Sequence, residues 1–269
     1  MKASNAATDR EPLVLQRAAK GVAFLTLNRP NQYNALSEQM LAALRGALAA
    51  LAADTSVRVV VLGGAGKAFC AGHDLKQMKT NPSLEYYQRL FDDCSRLMMQ
   101  IQTLPQPVIA RVHGIATAAG CQLVAACDLA IAADDARFAV SGVNVGLFCA
   151  TPSVALTRNL GRKAAFEMLV TGDTIDAATA VQRGLINHCV AADCLDMEID
   201  KLATSIVAKP PSVIAMGKAL FYRQIELGIA PAYQLAAQTM ACNMMDDIAQ
   251  EGVSAFISKR APNWARNGL

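Results

Sequence analysis

The chain has 269 residues, 53% of them hydrophobic and 17% charged, which excludes intrinsic disorder. At this length one large domain or two small ones bury roughly 70–75% of the extended surface. Aromatic residues at 5%, and a net charge of +3 from dispersed basic side chains, exclude a stacking platform for single-stranded nucleic acid and argue against nucleic acid as a partner.

The first residues, MKASNAATDREP, carry no apolar h-region, so no secretory signal is expected. Val22–Leu27 is an apolar run that ends on the turn signal Asn28-Arg29-Pro30. Ser37 is an N-cap for a helix over 38–53, rich in Ala and Leu. Residues 58–62 form a β-branched strand that runs into a small-residue loop and the segment Phe69-Cys-Ala-Gly-His-Asp74. A helix over 84–104 stops at Pro105, a strand covers 108–112, a short helix covers about 119–127, and a strand covers 129–133. Strand, small-residue loop and helix start occur at 58–76 and again at 107–122, a faint internal repeat.

The uncharged run 138–157 is long enough to span a bilayer, but its Gly, Ser, Asn and Pro content reads as buried loop and helix, so no membrane span is expected. Helices follow at 153–160, 162–170, 176–183, 193–208, 212–227 and 232–249, the last group broken at Pro210-Pro211. This divides the chain into an α/β core over 1–200 and a helical region over 201–269. The eight cysteines include no CxxC pair and read as small buried hydrophobes in a reducing cytoplasm.

Common chemistries fail one by one. Gly64-x-Gly66 lacks the third glycine of a dinucleotide fingerprint, and Gly66-Lys67 precedes Ala68 where a P-loop needs Ser or Thr. No GxSxG elbow exists, since Ser141 lies in Ala-Val-Ser-Gly-Val. Three scattered histidines, at 73, 113 and 188, give no metal cluster.

Several segments together do carry a signature: Leu27-Asn-Arg-Pro with Asn34-Ala-Leu36, Lys67-Ala-Phe-Cys-Ala-Gly-His-Asp-Leu75, Pro107-Val-Ile-Ala-Arg-Val-His-Gly114 and Ala119-Gly-Cys-Gln-Leu-Val-Ala-Ala-Cys-Asp128. With Ala136-Arg-Phe138 and Leu169-Val-Thr-Gly-Asp173, they resemble the enoyl-CoA hydratase/isomerase (crotonase) superfamily in order and spacing, over roughly residues 12–260. The resemblance implies an α/β fold, a crotonase-like spiral of ββα units with a C-terminal helical trimerisation region. It implies an acyl-CoA ligand, a homotrimer or dimer of trimers, and no cofactor beyond coenzyme A as part of the substrate.

By position, the resemblance makes the backbone N–H groups of His73 and Ala119 an oxyanion hole for the thioester oxygen. Small residues let the thioester approach the backbone, and a helix starting near Ala119 aims free N–H groups at developing negative charge. The same resemblance puts Asn31, Gln32, Lys67, Ala71, His73, Leu75, Phe256 and Lys259 at the coenzyme A site. The identities of Asn31 and Gln32 differ from the family's usual residues, so only their backbone contacts carry over.

Two departures matter. The family's two catalytic glutamates fall at Gln122 and Gly142. An amide neither gives nor takes a proton at neutral pH, and glycine has no side chain. Conventional hydration is therefore expected to be weak or absent, since each general acid or base contributes about 10²–10⁴-fold. Asp128, Asp134 and Asp135 read as capping or solvated. The His73 ring packs or faces water on the plain reading, although some family decarboxylases carry a similar Ala-Gly-His-Asp segment. His113 reads as structural. The alternatives are decarboxylation of a malonyl-type acyl-CoA, which needs no base, and a non-catalytic acyl-CoA binder or regulatory partner.

Overall fold

The computed structural model describes residues 11–266. Most of the segment read for a secretory signal lies outside the described residues, as does the end of the expected helical region, 267–269.

Strands β1 (Val14–Ala19) and β2 (Val22–Leu27) form an antiparallel hairpin. Lys20 and Gly21 turn it, both at positive φ as a two-residue hairpin demands. Helix α1 (Glu38–Ala53) begins where the sequence places it, because the Ser37 hydroxyl accepts the Met40 N–H at 3.2 Å. Met40, Leu41, Leu44, Leu48 and Leu51 form its buried face.

Three ββα turns follow. The first is β3 (Val59–Gly64), β4 (Ala68–Cys70) and α2 (Leu75–Thr80), with α3 (Leu84–Thr103) after it. The second is β5 (Val108–Val112), β6 (Ile115–Thr117) and α4 (Ala119–Ala126). The third is β7 (Leu129–Ala133), β8 (Arg137–Ala139), a 3-10 turn (Ser141–Val145) and α5 (Ala150–Leu156). The faint repeat is thus a structural repeat. Its second strands are three residues long, too short for period-two alternation to announce them.

After α5 come α6 (Arg162–Thr171), β9 (Ile175–Asp176), α7 (Ala177–Arg183), β10 (His188–Val190) and α8 (Leu195–Val207). Helices α9 (Pro211–Gln224), α10 (Ile229–Met245), α11 (Asp247–Ile257) and α12 (Asn263–Arg266) complete the chain. Pro211 starts α9, as the first helical position tolerates proline. The expected helix over 232–249 is two helices, because Asp246 adopts an extended conformation between them. No helix of the described residues is long and apolar enough to cross a membrane.

The strands build two sheets, β1-β2-β3-β5-β7-β10 and β4-β6-β8-β9. From β2 to β10 the large sheet is parallel, and its strands β3, β5 and β7 are buried on both faces. Val59, Val61, Ile109 and Ile131 pack against Leu195, Ile199 and Ala203 of α8. The alternate residues, Val60, Leu62, Val108 and Ala110, pack with α1, α3 and α4. Two readings need correction. The run 138–157 is not all buried, since Asn144–Phe148 is exposed at the end of the 3-10 turn and in the loop after it. Five cysteines are buried as expected, but Cys189 and Cys194 are half-buried and Cys242 is exposed.

Candidate functional site

Strands β4 and β6 are parallel neighbours, so the segments leaving their C-terminal ends run side by side. The first is Ala71-Gly72-His73 and the second is Ala118-Ala119. Two glycines let them touch. A Cβ on Gly72 would stand 3.1 Å from the Ala119 nitrogen, and one on Gly120 would collide with the Cys70 carbonyl. Gly72 also has φ +88°, a conformation that favours glycine.

The backbone there is turned by specific hydrogen bonds. The Leu36 N–H donates to the Gly72 carbonyl at 2.8 Å, and the Asp74 N–H donates to the Leu36 carbonyl at 3.4 Å. In such a parallel bridge residues 72 and 74 face Leu36, so the intervening His73 N–H points to the opposite side. On the second segment the Ala118 N–H donates to the Ala139 carbonyl at 2.9 Å. Ala118 then adopts φ 51°, ψ −121° and opens α4 with no side-chain cap. Among the described residues, neither the His73 nor the Ala119 N–H has a backbone acceptor. A buried helix start with unused donors is a site for negative charge.

The sequence places a donor at Ala119 and gives no direct sign of the conformation of its neighbour. Ala119 is an ordinary first helical residue, and the strain falls on Ala118. The available signal was a buried helix preceded by Ala-Thr-Ala, without a capping side chain.

The two segments border a cavity of about 270 Å³. His73, Ala71, Leu75, Ala119 and Gly142 all line it, together with Met78, Phe91, Phe148 and Cys149. Among the described lining residues none is Lys, Arg, Asp or Glu. Ser141, also in the wall, has its hydroxyl 3.0 Å from that of Thr117. The His73 ring meets Phe91 edge-on at 5.4 Å, and both ring nitrogens are buried without a hydrogen-bond partner. Burial pushes its pKa from the ordinary 6.5 down to about 4, only partly opposed by the Leu36 carbonyl.

Next to it, Asp74 caps α2 by accepting the Lys76 and Gln77 N–H groups and pairs with Arg29 at 3.1 Å. Burial raises the Asp74 pKa, but the Gln77 N–H, Arg29 and the Lys76 N–H together outweigh it and hold the carboxyl below its usual range.

The two departures sit differently. Gln122 is 3% exposed on α4, is not part of the cavity wall, and its Oε1 has no partner. Gly142 is in the wall, but a Cβ there would collide with the Leu147 carbonyl and stand 2.8 Å from Cys149 Sγ. Its φ lies outside the left-handed region, so the obstacle to a side chain is space.

Asn31 and Gln32 are exposed on a 3-10 turn, Pro30–Gln32. This turn rests on the loop carrying the exposed Lys67: a Cβ on Gly66 would stand 2.6 Å from Pro30 Cβ. Buried Asn34 ties the two, its Nδ2 donating to the Ala65 and Ala68 carbonyls and its Oδ1 accepting the Arg29 N–H. His113 is a strut of the same loop, with Nε2 2.9 Å from the Gly66 carbonyl. Phe256 and Lys259, on and just after α11, are exposed and do not line the cavity.

Comparison with known proteins identifies the fold. A family model described as enoyl-CoA hydratase/isomerase matches residues 17–267. A crystal structure of an enoyl-CoA hydratase from Mycobacterium smegmatis is 65% identical and superposes with a TM-score of 0.93, covering 94% of this chain and 99% of that one. The human enoyl-CoA hydratase domain-containing protein 3 structure is 41% identical with a TM-score of 0.91, covering 94% and 100%. The Xenopus laevis mitochondrial enoyl-CoA hydratase domain-containing protein 3 is 43% identical over 95% of this chain and 87% of its own length. The fold is therefore the crotonase fold expected from the sequence.

The expectation of a cytoplasmic protein does not stand. The relatives from Xenopus laevis, Rattus norvegicus, Mus musculus and Homo sapiens are all named mitochondrial. Mitochondrial targeting uses amphipathic, Arg-rich and Ser-rich segments, which a search for an apolar h-region does not detect.

Proposed function

The chain belongs to the enoyl-CoA hydratase/isomerase family, and we propose that it binds acyl-CoA thioesters with the thioester oxygen on the His73 and Ala119 N–H groups. The observation that carries this reading is the approach of Gly72 to the Ala119 nitrogen, with both donors unused beside an apolar cavity. Such donors stabilise an enolate at the moment charge reaches the oxygen, without reorganisation. The uncharged lining suits an apolar acyl chain and supplies no counter-ion for a malonyl-type carboxylate. The platform of Asn31, Gln32 and Lys67 is the proposed seat of the coenzyme A moiety.

Conventional hydration is slow on this reading, since Gln122 and Gly142 bring no carboxyl group. Calorimetry with acetoacetyl-CoA tests the binding. Absence of heat and of competition at millimolar ligand removes the proposal.

We also propose that the chain assembles as a trimer or a dimer of trimers, in which Phe256 and Lys259 reach a neighbouring subunit's ligand. Support comes from the apolar side chains that one chain leaves exposed on its C-terminal helices, among them Ile229, Tyr233, Met245, Phe256 and Ile257. Light scattering at the monomer mass of 28.5 kDa contradicts it.

A further inference from the structure

We propose that the His73 imidazole is the proton-carrying group of this site, taking the α-proton of the bound acyl-CoA in place of a carboxylate. The inference rests on the acyl-CoA reading above and deepens it. It starts from the composition of the cavity wall. Of the described side chains that line it, none is a carboxylate or an amine. The hydroxyl of Ser141 is taken up by Thr117 at 3.0 Å, and burial pushes the Cys149 thiol up and away from its nucleophilic form. Gln122 carries an amide and stands outside the wall. His73 remains as the lining side chain that can take up a proton: burial keeps the ring neutral at neutral pH, and its pKa of about 4 is that of a carboxylate base.

The state of the ring points the same way. Both nitrogens are buried and neither has a partner, an arrangement that native interiors rarely leave without a reason. The ring packs against the edge of Phe91 and lies near the Leu36 carbonyl, which favours its protonated form without reaching full hydrogen-bond geometry, so the ring is only weakly held against turning. Rotation about the bond to a His ring is soft and roughly two-fold. A turn presents a nitrogen to the cavity and relieves its unpaired state.

Placement is the third argument. The imidazole belongs to the same residue whose N–H receives the thioester oxygen, and the α-carbon of an acyl-CoA lies two bonds from that oxygen. One residue therefore addresses both ends of an enolisation. The Cα–H bond breaks, its electron pair moves through the carbonyl to the oxygen held by His73 and Ala119 N–H, and the proton passes to the imidazole. The reverse step returns a proton from the imidazolium to carbon. No oxidant, reductant or co-reactant is consumed.

The test is exchange of the α-protons of butyryl-CoA in D2O, followed by loss of the α-CH2 signal in proton NMR. His73→Gln and His73→Phe both keep the backbone N–H. The wild type exchanges the α-protons, and both variants lose the rate by about 10²-fold or more while binding butyryl-CoA within a few-fold of wild type. Exchange at the wild-type rate in either variant overturns the proposal, as does a wild type that binds butyryl-CoA without exchanging it. A wild type that binds no acyl-CoA overturns the binding reading, and this inference with it.

Discussion

Gly120 lies with its α-carbon against the carbonyl oxygen of Cys70, so close that a Cβ on Gly120 would strike that oxygen. The contact joins the start of α4 to the end of β4, and so fixes the distance between the Ala119 and His73 N–H groups. Neither partner can yield cheaply, because the acceptor is backbone inside a sheet and the glycine is buried in a helix.

Gly120→Ala is accordingly expected to destabilise the fold by about 1–3 kcal/mol, the usual range for overpacking. It also separates the two donors, and a misplacement near 1 Å loses about 10²-fold in an aligned site. Thermal unfolding and acetoacetyl-CoA calorimetry check the two effects. A variant with unchanged melting temperature and unchanged affinity contradicts the arrangement.

Restoring the family's acids is not symmetric. Gln122→Glu preserves the shape of the side chain, although it buries an acid where the native amide Oε1 already lacks a partner. Gly142→Glu drives a side chain into the Leu147 carbonyl and Cys149 Sγ and reshapes the loop. We expect slow hydration of crotonyl-CoA by the wild type, at most a modest gain in Gln122→Glu, and a loss of stability in every variant carrying Gly142→Glu. Absorbance loss of crotonyl-CoA and melting curves measure both. Wild-type turnover in the hundreds per second shows that the mechanism is wrong.

Which parts of this were legible in the sequence follows from how each residue signals. Helix α1 was readable to its first residue because Ser37 is a capping side chain, and strands β3, β5 and β7 of the large sheet because Val and Ile mark burial, whereas β1 and β10 of that sheet were not read. Strands β4, β6 and β8 left no such trace, being three residues long. His73, Ala119 and Gly142 were singled out through the family resemblance, and the structure brings all three to one cavity. The strain at Ala118 and the packing against Gly142 were not legible, since both arise from backbone conformations that contacts distant in sequence impose.

His73 also makes stability depend on pH. Its folded pKa of about 4 lies below the ordinary 6.5, so the unfolded chain takes up a proton first. The favourable term is therefore present in full above about pH 6.5 and is lost as pH falls towards about 4. The difference corresponds to about 3 kcal/mol. Other groups titrate in the same range, so the measurement is the difference between wild type and His73→Phe in denaturant unfolding. That gap is expected to change by about 3 kcal/mol in favour of the variant between pH 7 and pH 4. Parallel pH curves for the two proteins sink the assignment.

The C-terminal helices are held to the core by a buried ion pair. Lys218 Nζ of α9 lies 2.6 Å from Asp128 Oδ2, with side-chain exposures of 7% and 11%. Lys218 also donates to the Ile101 and Gln106 carbonyls, and Asp128 accepts the Val108 N–H and the Tyr222 hydroxyl. Burial pushes the Asp128 pKa up and that of Lys218 down, each opposed by attraction to the other. Every polar atom of the pair is thus engaged, and removing one partner leaves a buried charge with nothing opposite it. Lys218→Met or Asp128→Leu alone is expected to cost about 3–5 kcal/mol, whereas replacing both costs much less, because desolvation and attraction disappear together. A double-mutant cycle in denaturant unfolding measures the coupling. Single-variant losses that simply add in the double variant would show that the pair does not fasten α9 to the core, and that the apolar contacts of that helix hold it in place.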